Sequence, residues 1–272
     1  MTALSFRDLE HAGWSAKADA YDNLFGKITD QAIESVLDAV GSLRGKRFLD
    51  VACGTGRLTG AAAAQGAEAE GIDFAATMIA TAAGNYPDCA FTEGDAQRLP
   101  FEDGRFDAAA CAFGLLHMEN ADEAMAETLR VLKPGGRYAF TVWHGPDRGG
   151  EMFALVMSAV EQHGTLDVDL PPAPPMFRLA DPEEARRALL AVGFAEITSR
   201  ILSLQWRPAS AEAVLEMLYK SVVRMPLILE AQADAARERI HAAIVEGVNS
   251  LRREDGIAVA YPALLVSATR PR

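Results

Sequence analysis

Apolar side chains near the start of the chain recur at helical spacing. Trp14, Ala18, Tyr21 and Phe25 fall at i, i+4, i+7 and i+11, one stripe of a short amphipathic helix. Ile33, Val36, Leu37 and Val40 mark a second helix, and Gly41 supplies its stop. From residue 47 the pattern changes. Short runs rich in small and β-branched residues, at 47–52, 68–73, 89–94, 106–112 and 137–143, read as strands. Helical stretches at about 56–65, 76–84 and 120–132 separate them. Such alternation predicts a doubly wound α/β sheet. Asn120, with Glu123 three residues on, has the form of a capping box, and Lys133-Pro134-Gly135-Gly136 turns the chain into the next strand.

The rhythm breaks after Trp143. Residues 144–180 hold a predicted helix near 150–163 and the proline cluster 171–175, which reads as a stiff extended connector. Asp181-Pro182-Glu183-Glu184 has the makings of a helix start, namely an N-cap, proline at N1 and acids in the first turn. Gly193 ends that helix and a strand at 195–206 follows. Helical sequence then runs from Ser210 to about Arg252, with a break expected at Pro226. In a final strand over 257–269, Pro262 favours an edge position or a bulge. The organisation expected is N-terminal helices over 1–44, a core over 45–143, a cap insertion over 144–180, core again over 181–207, a helical cap insertion over 208–255, and a last core strand over 256–272.

Chemistry concentrates at the ends of the first strands. Phe48 to Thr59 reads FLDVACGTGRLT, a strand running into a glycine turn and then a helix. Gly54 and Gly56 permit a tight turn and close approach of a ligand to backbone. A dinucleotide fingerprint places a third glycine where Thr59 stands, and the GxxxxGK[ST] phosphate loop is absent. Asp50 at the strand end repels a pyrophosphate and favours a cationic ligand, so the loop suits a nucleoside with a cationic amino-acid tail. Asp73, 17 residues past Gly56, is placed to accept from both ribose hydroxyls. Asp95, beside the small Ala96, is placed to accept from an exocyclic adenine amine, and Phe74 and Met78 offer apolar surface nearby.

These segments resemble class I S-adenosylmethionine-dependent methyltransferases. DVACGTG, GID with Met78 after it, EGDAQRLPF, FDAAACAFGLLHM and RVLKPGG occur in that family's order, and the branch most similar is that of the ubiquinone/menaquinone-biosynthesis C-methyltransferases (Methyltransferase type 11). Ala52 departs from the glycine the family often carries there, a small change. The resemblance implies a Rossmann-like sheet of seven strands in the order 3-2-1-4-5-7-6, the last antiparallel. It also implies S-adenosyl-L-methionine as cofactor, with S-adenosyl-L-homocysteine as product. The cofactor contacts it implies are Tyr21, from a helix lying over the site, with Asp50, Ala52, Gly54, Gly56, Asp73, Phe74, Met78, Asp95, Ala96 and Phe113. His117, after the fourth strand, is the candidate base or substrate contact, or else a packed histidine, and His144 is a weaker candidate of the same kind. Trp14 and Tyr21 are either core aromatics or lid.

Composition narrows the partners. With 26 Lys and Arg against 38 Asp and Glu, the net charge of −12 disfavours nucleic acid and anionic membrane as ligands. The first residues lack the apolar core of a signal peptide, and Cys53, Cys89 and Cys111 lack zinc-type spacing. A cytoplasmic enzyme acting on a small, apolar or aromatic acceptor, with no metal, is the reading these features favour. Cys53 is a packed thiol or, less simply, a nucleophile. Met152, Phe153, Met157, Met176, Phe177, Met217 and Met225 either build core or line an acceptor pocket in the cap. A nicotinamide oxidoreductase and a non-catalytic S-adenosylmethionine-binding protein are the alternatives.

Overall fold

The computed structural model describes residues 4–272, with Asp19 described through its backbone alone. Residues 1–3, part of the segment read above for a signal peptide, lie outside the described residues. Seven strands form one sheet: β1 (Arg47–Val51), β2 (Glu68–Asp73), β3 (Ala90–Glu93), β4 (Phe106–Ala112), β5 (Leu132–Trp143), β6 (Ala195–Trp206) and β7 (Val259–Thr269). Their order is β3-β2-β1-β4-β5-β7-β6, with β7 antiparallel to both neighbours, as the resemblance implied. Strands β1 to β5 are mutually parallel, so their carboxyl ends open on one edge.

Alternation along β1 builds both faces of the sheet. Phe48 and Leu49, both fully buried, belong to two separate apolar clusters, one on each side. The alanines of β4 leave room for helices to approach closely. On one face pack α3 (Ile33–Val40) and α4 (Arg57–Ala64), and the same cluster continues into α7 (Glu151–His163) and the helices after β6. On the other pack α6 (Ala121–Val131) and α8 (Pro182–Val192). Helix α5 (Ala76–Asn85) covers β2 and β3 and meets α1 (Phe6–Asn23).

Several local expectations are corrected. Helix α1 is longer than its apolar stripe, because Ser5 and Asp8 form a reciprocal capping box that starts it early. It ends at Asn23, so Phe25 falls beyond it, before α2 (Gly26–Thr29). At α6, Asn120 accepts from the N–H groups of Asp122 and Glu123 as expected, but its own N–H donates to Gln97 at 2.5 Å rather than to Glu123. Lys133–Gly136 lies within β5 as a register shift between the Phe106–Leu132 and Ala108–Arg137 pairs, held by Arg270 through Gly135 and Gly136.

Pro262 does not mark an edge, since β7 is interior and β6 forms the edge. Its carbonyl accepts from His144 N–H at 2.9 Å, one residue past the Trp143–Ala263 pair. The N–H that proline lacks therefore points where β5 has already ended. Pro226 likewise sits inside the first turn of α10 (Arg224–Glu230), where a missing N–H costs nothing. The helix break comes earlier, between α9 (Ala213–Ser221) and α10, and a second precedes α11 (Asp234–Ser250). Helix α7 packs along α11, joining the two insertions.

The turn between β1 and α4 needs glycine for two different reasons. Gly56 has φ +84°, and a Cβ there would lie 2.9 Å from the Phe91 ring and 3.0 Å from Ala82. Gly54 has φ +52° with nothing within 4 Å of its would-be Cβ. Left-handed backbone costs an alanine roughly 1–2 kcal/mol, and overpacking adds about 1–3 kcal/mol. Gly56→Ala is therefore expected to lower Tm by several degrees more than Gly54→Ala in thermal unfolding. Equal losses would show that Phe91 and Ala82 yield freely.

Candidate functional site

The carboxyl ends of β1, β2 and β4 and the loop after β3 enclose one crevice beneath α1. Its larger lobe is lined by Asp50, Cys53, Gly54, Met78 and Phe113 with Trp14 and Tyr21 above. Its smaller lobe is lined by Asp95, Ala96, Gln97 and Arg7, and Ala52, Asp73, Phe74 and His117 border both. Eleven residues singled out from sequence, Tyr21, Asp50, Ala52, Gly54, Asp73, Phe74, Met78, Asp95, Ala96, Phe113 and His117, thus meet around one space. Gly56 does not line it. That glycine starts α4 and packs against Phe91 and Ala82.

Asp73 organises the glycine turn. Its buried carboxylate accepts from Gly54 N–H at 2.9 Å and from Ala75 N–H at 3.0 Å, tying the β1 turn to the tip of β2. Burial nevertheless pushes its carboxyl above the usual range, against the pull of these N–H groups. Asp50 is 1 % exposed and accepts from the Thr59 hydroxyl at 2.7 Å. Burial raises its carboxyl to about 7, and the Asp73 charge adds to the rise. A cation brought into the crevice would favour the ionised form of both. The position that a dinucleotide site gives to glycine is here the hydroxyl that holds Asp50.

The arginines lining the crevice are already paired. Arg57 reaches Asp22 at 2.8 Å and Asp30 at 2.6 Å, and the Thr55 hydroxyl donates to Asp22 as well. Arg7 meets Asp95 at 2.9 Å, whose other oxygen accepts from Gln97 N–H. A phosphate would have to break one of these pairs to find a cation. A ligand with ammonium or sulfonium charge meets carboxylates without disturbing them. Among the described residues, no His, Cys, Asp and Glu group is arranged to hold a metal.

Backbone strain sits at the floor of the crevice. Ala52 and Phe113 both have φ +57°, at the ends of β1 and β4. Phe113 is held there by bonds from its N–H to Thr141 and by stacking on Trp143 at 3.9 Å. Strained non-glycine backbone of this kind clusters at ligand sites. The Cys53 thiol is buried and pushed well up by desolvation, which suits packing and not nucleophilic attack.

The roof is the N-terminal helix. Tyr21 bonds Thr29 at 3.2 Å, and burial pushes its phenol up to about 12. Trp14 contacts both Tyr21 and His117 edge-on. Glu10, unremarked in the sequence, is 2 % exposed, accepts from Trp14 Nε1–H at 3.0 Å and lies 2.8 Å from His117 Nδ1. Arg7, Asp22 and Arg57 were missed in the same way. Only contacts between distant segments mark them, since Glu10 and His117 are 107 residues apart.

The cap contributes none of the lining among the described residues. Met152 and Met217 are core, and Phe153 packs against Phe177 at 5.1 Å within an aromatic cluster that reaches Trp143. Met176 is exposed beside a separate cavity at the start of α6. His144 is buried with Nδ1 3.3 Å from Arg148 O, away from the crevice, and burial lowers its imidazole. The described residues form no helix long and apolar enough to cross a membrane.

Comparison with known proteins places this geometry. Residues 49–140 match the family model described as a methyltransferase domain. A demethylmenaquinone methyltransferase of Beutenbergia cavernae is 42% identical over 112 residues, 41% of this chain and 47% of the relative, so the chain spans about half the length of that curated relative. A demethylmenaquinone methyltransferase of Clavibacter sepedonicus is 33% identical over 183 residues, 61% of this chain and 72% of the relative. Among solved structures, the YcgJ protein of Bacillus subtilis superposes with a TM-score of 0.58 at 18% identity, over 91% of this chain and 99% of its own, a likeness of fold. Loop, strand-tip carboxylates, strand order and these matches agree, and the chain belongs to the methyltransferase-domain family.

Proposed function

We propose that the chain transfers a methyl group from S-adenosylmethionine to a small aromatic acceptor of the quinone class. The observation that carries this reading is the charge pattern of the crevice. Asp50, Asp73 and Asp95 face a ligand space whose arginines are both already paired. The open space beside Gly54 leaves room for a ligand against backbone, which fits the amino-acid tail of the cofactor. Asp73 would hold the ribose hydroxyls, since each carboxylate oxygen keeps a lone pair beyond its backbone bond. Asp95 and Ala96 would meet the adenine edge, with Phe74 and Met78 on its apolar faces.

When bound, S-adenosylmethionine supplies an electrophilic methyl on sulfur with a neutral thioether as leaving group. The protein's own part is then alignment of the acceptor and exclusion of water. Trp14, Tyr21 and α1 provide the cover, and Phe113, stacked on Trp143, offers a flat apolar floor for a planar ring. The quinone class is taken from the names of the relatives, and the aromatic lining supports it. A nicotinamide cofactor is disfavoured, because its pyrophosphate would face Asp50 and Asp73 with the crevice's arginines already paired.

Calorimetry should show binding of S-adenosylmethionine and S-adenosylhomocysteine and none of NAD. Asp73→Ala should weaken that binding at least about tenfold, as each charge-assisted bond lost is worth roughly 1.5–3 kcal/mol. It should also lower Tm, because Gly54 and Ala75 lose their acceptor. Tight NAD binding, or an unchanged affinity in folded Asp73→Ala, would overturn the reading.

The Asp50 carboxyl gives a second test. With its folded value raised to about 7, its stabilising contribution is present below about pH 4 and is lost as pH rises through about 7. Asp50→Asn removes that loss, so the ligand-free variant should melt higher than the parent at pH 8. A cationic ligand should also displace the Asp50 proton. Binding measured at pH 6.5 in two buffers should release about half a proton or more in the parent, and clearly less in Asp50→Asn, where only Asp73 can contribute. Buffer-independent heats for the parent would contradict a cation seated beside Asp50.

A further inference from the structure

Glu10 is a buried carboxylate that the charge pattern of the cofactor site leaves unused. It sits on α1 at 2 % exposure, and its Oε2 receives Trp14 Nε1–H and lies 2.8 Å from His117 Nδ1, which donates when Glu10 is a carboxylate. The helix does not need it as an anchor. Arg7 to Asp95, Arg57 to Asp22, and the Thr77 hydroxyl to Ser15 O already fasten α1, and Leu9, Trp14, Ala18, Ala75 and Met78 bury an apolar seam beneath it. A neutral glutamine would serve an anchor as well, and a buried charge is retained at a cost. What a carboxylate does and an amide does not is stabilise a positive imidazole.

The geometry of the ring agrees. Donation from Nδ1 to Glu10 fixes the tautomer that leaves a lone pair on Nε2, which has no partner among the described residues. Trp14 holds the ring edge-on, with centroids 4.8 Å apart and planes at 78°. Two contacts from one helix thus set both the proton and the plane of His117, which borders both lobes of the crevice.

We infer that Glu10 is a positioning residue that makes His117 a general base, and that the acceptor therefore carries an ionisable hydroxyl, as a phenol or hydroquinone does. The inference rests on the methyl-transfer reading. The acceptor O–H bond breaks with its proton passing to His117 Nε2, and the freed electron pair, on oxygen or on the conjugated ring carbon, bonds the methyl carbon. On the carbon route the ring C–H bond then breaks, its pair restoring the aromatic ring and its proton passing to the oxygen. The carbon–sulfur bond breaks with its pair left on sulfur. One positive charge vanishes from sulfur and one appears on the imidazole, where the Glu10 carboxylate receives it. Because Glu10 rides on α1, the base is complete only while that helix covers the crevice.

The charged groups facing His117 are Glu10 and Arg7 from α1, Asp73 from β2, and Asp95 and Glu119 around the smaller lobe. Glu10 is in direct contact. Nitrogen-15 NMR of histidine-labelled protein with S-adenosylhomocysteine bound tests its role, with His117→Asn to assign the signal. In the parent, neutral His117 should show a protonated Nδ1 and an unprotonated Nε2. In Glu10→Gln the preference for the Nδ1-protonated ring should weaken, with the Nε2-protonated form appearing beside it. With a 2-prenyl-1,4-naphthohydroquinone as probe acceptor, kcat should fall about 10- to 100-fold, while KM for S-adenosylmethionine changes little.

A parent His117 protonated on Nε2, or the same tautomer balance and the same kcat in both proteins, overturns the inference. The parent tautomer decides the question even if Glu10→Gln fails to fold. If, in uniformly nitrogen-15-labelled protein, S-adenosylhomocysteine leaves the amide signals of Gly54 and Asp73 unmoved, the methyl-transfer reading itself fails and the inference falls with it. If those amides respond and His117 does not, the inference alone fails.

Discussion

The site depends on a carboxylate buried at a strand tip. Asp73 accepts the N–H of Gly54 from one loop and of Ala75 from the next, so the β1 and β2 turns are fixed to each other. Desolvation works against its charge, as its raised carboxyl shows. The two backbone bonds hold it in place, and a cationic nucleoside would complete its partners. Remove that carboxylate and the Gly54 and Ala75 N–H groups both lose their acceptor. Asp50, one strand over, has a neighbouring version of the problem, solved in part by the Thr59 hydroxyl.

Around this centre, charge is arranged by pairing. Arg57 with Asp22 and Asp30, and Arg7 with Asp95, fasten α1 and the segment after it to the sheet. The cations of the crevice are consumed in holding the roof, and the carboxylates left facing the space select a positive ligand. The same helix carries Trp14, Tyr21 and Glu10, so cover, aromatic wall and the partner of His117 arrive together. In this arrangement one helix supplies both the roof and the partner of His117.

Much of this was legible in the chain because parallel strands bring their carboxyl ends to one edge. Asp50, Asp73, Asp95 and Phe113 are each at or just past a strand end, so reading the strands placed them. Gly54 lines the crevice for the same reason, whereas Gly56 does not line it and packs against Phe91 and Ala82. The roof was hardly legible. Arg7 finds Asp95 across 88 residues and Glu10 finds His117 across 107, and no periodicity encodes such partners. The box at Ser5 and Asp8 was present as a local signal for an earlier helix start. Pro262 misled because proline was weighed against the ladder as a whole, when only the side facing His144 lacks a partner strand. Of the methionines and phenylalanines of the insertions, Met152 and Met217 are core and Phe153, Phe177 and Met225 pack against the same cluster as Trp143 and Tyr261, whereas Met176 is exposed.

The central claim is that this crevice seats a sulfonium nucleoside against carboxylates. A crystal structure of the protein with S-adenosylhomocysteine tests it most directly. The account places the ribose hydroxyls within hydrogen-bond distance of Asp73, the adenine beside Asp95 and Ala96, and the amino-acid tail along Gly54, with Arg57 still on Asp22 and Asp30. A nucleoside seated elsewhere, or one that draws Arg57 off its carboxylates, would contradict it.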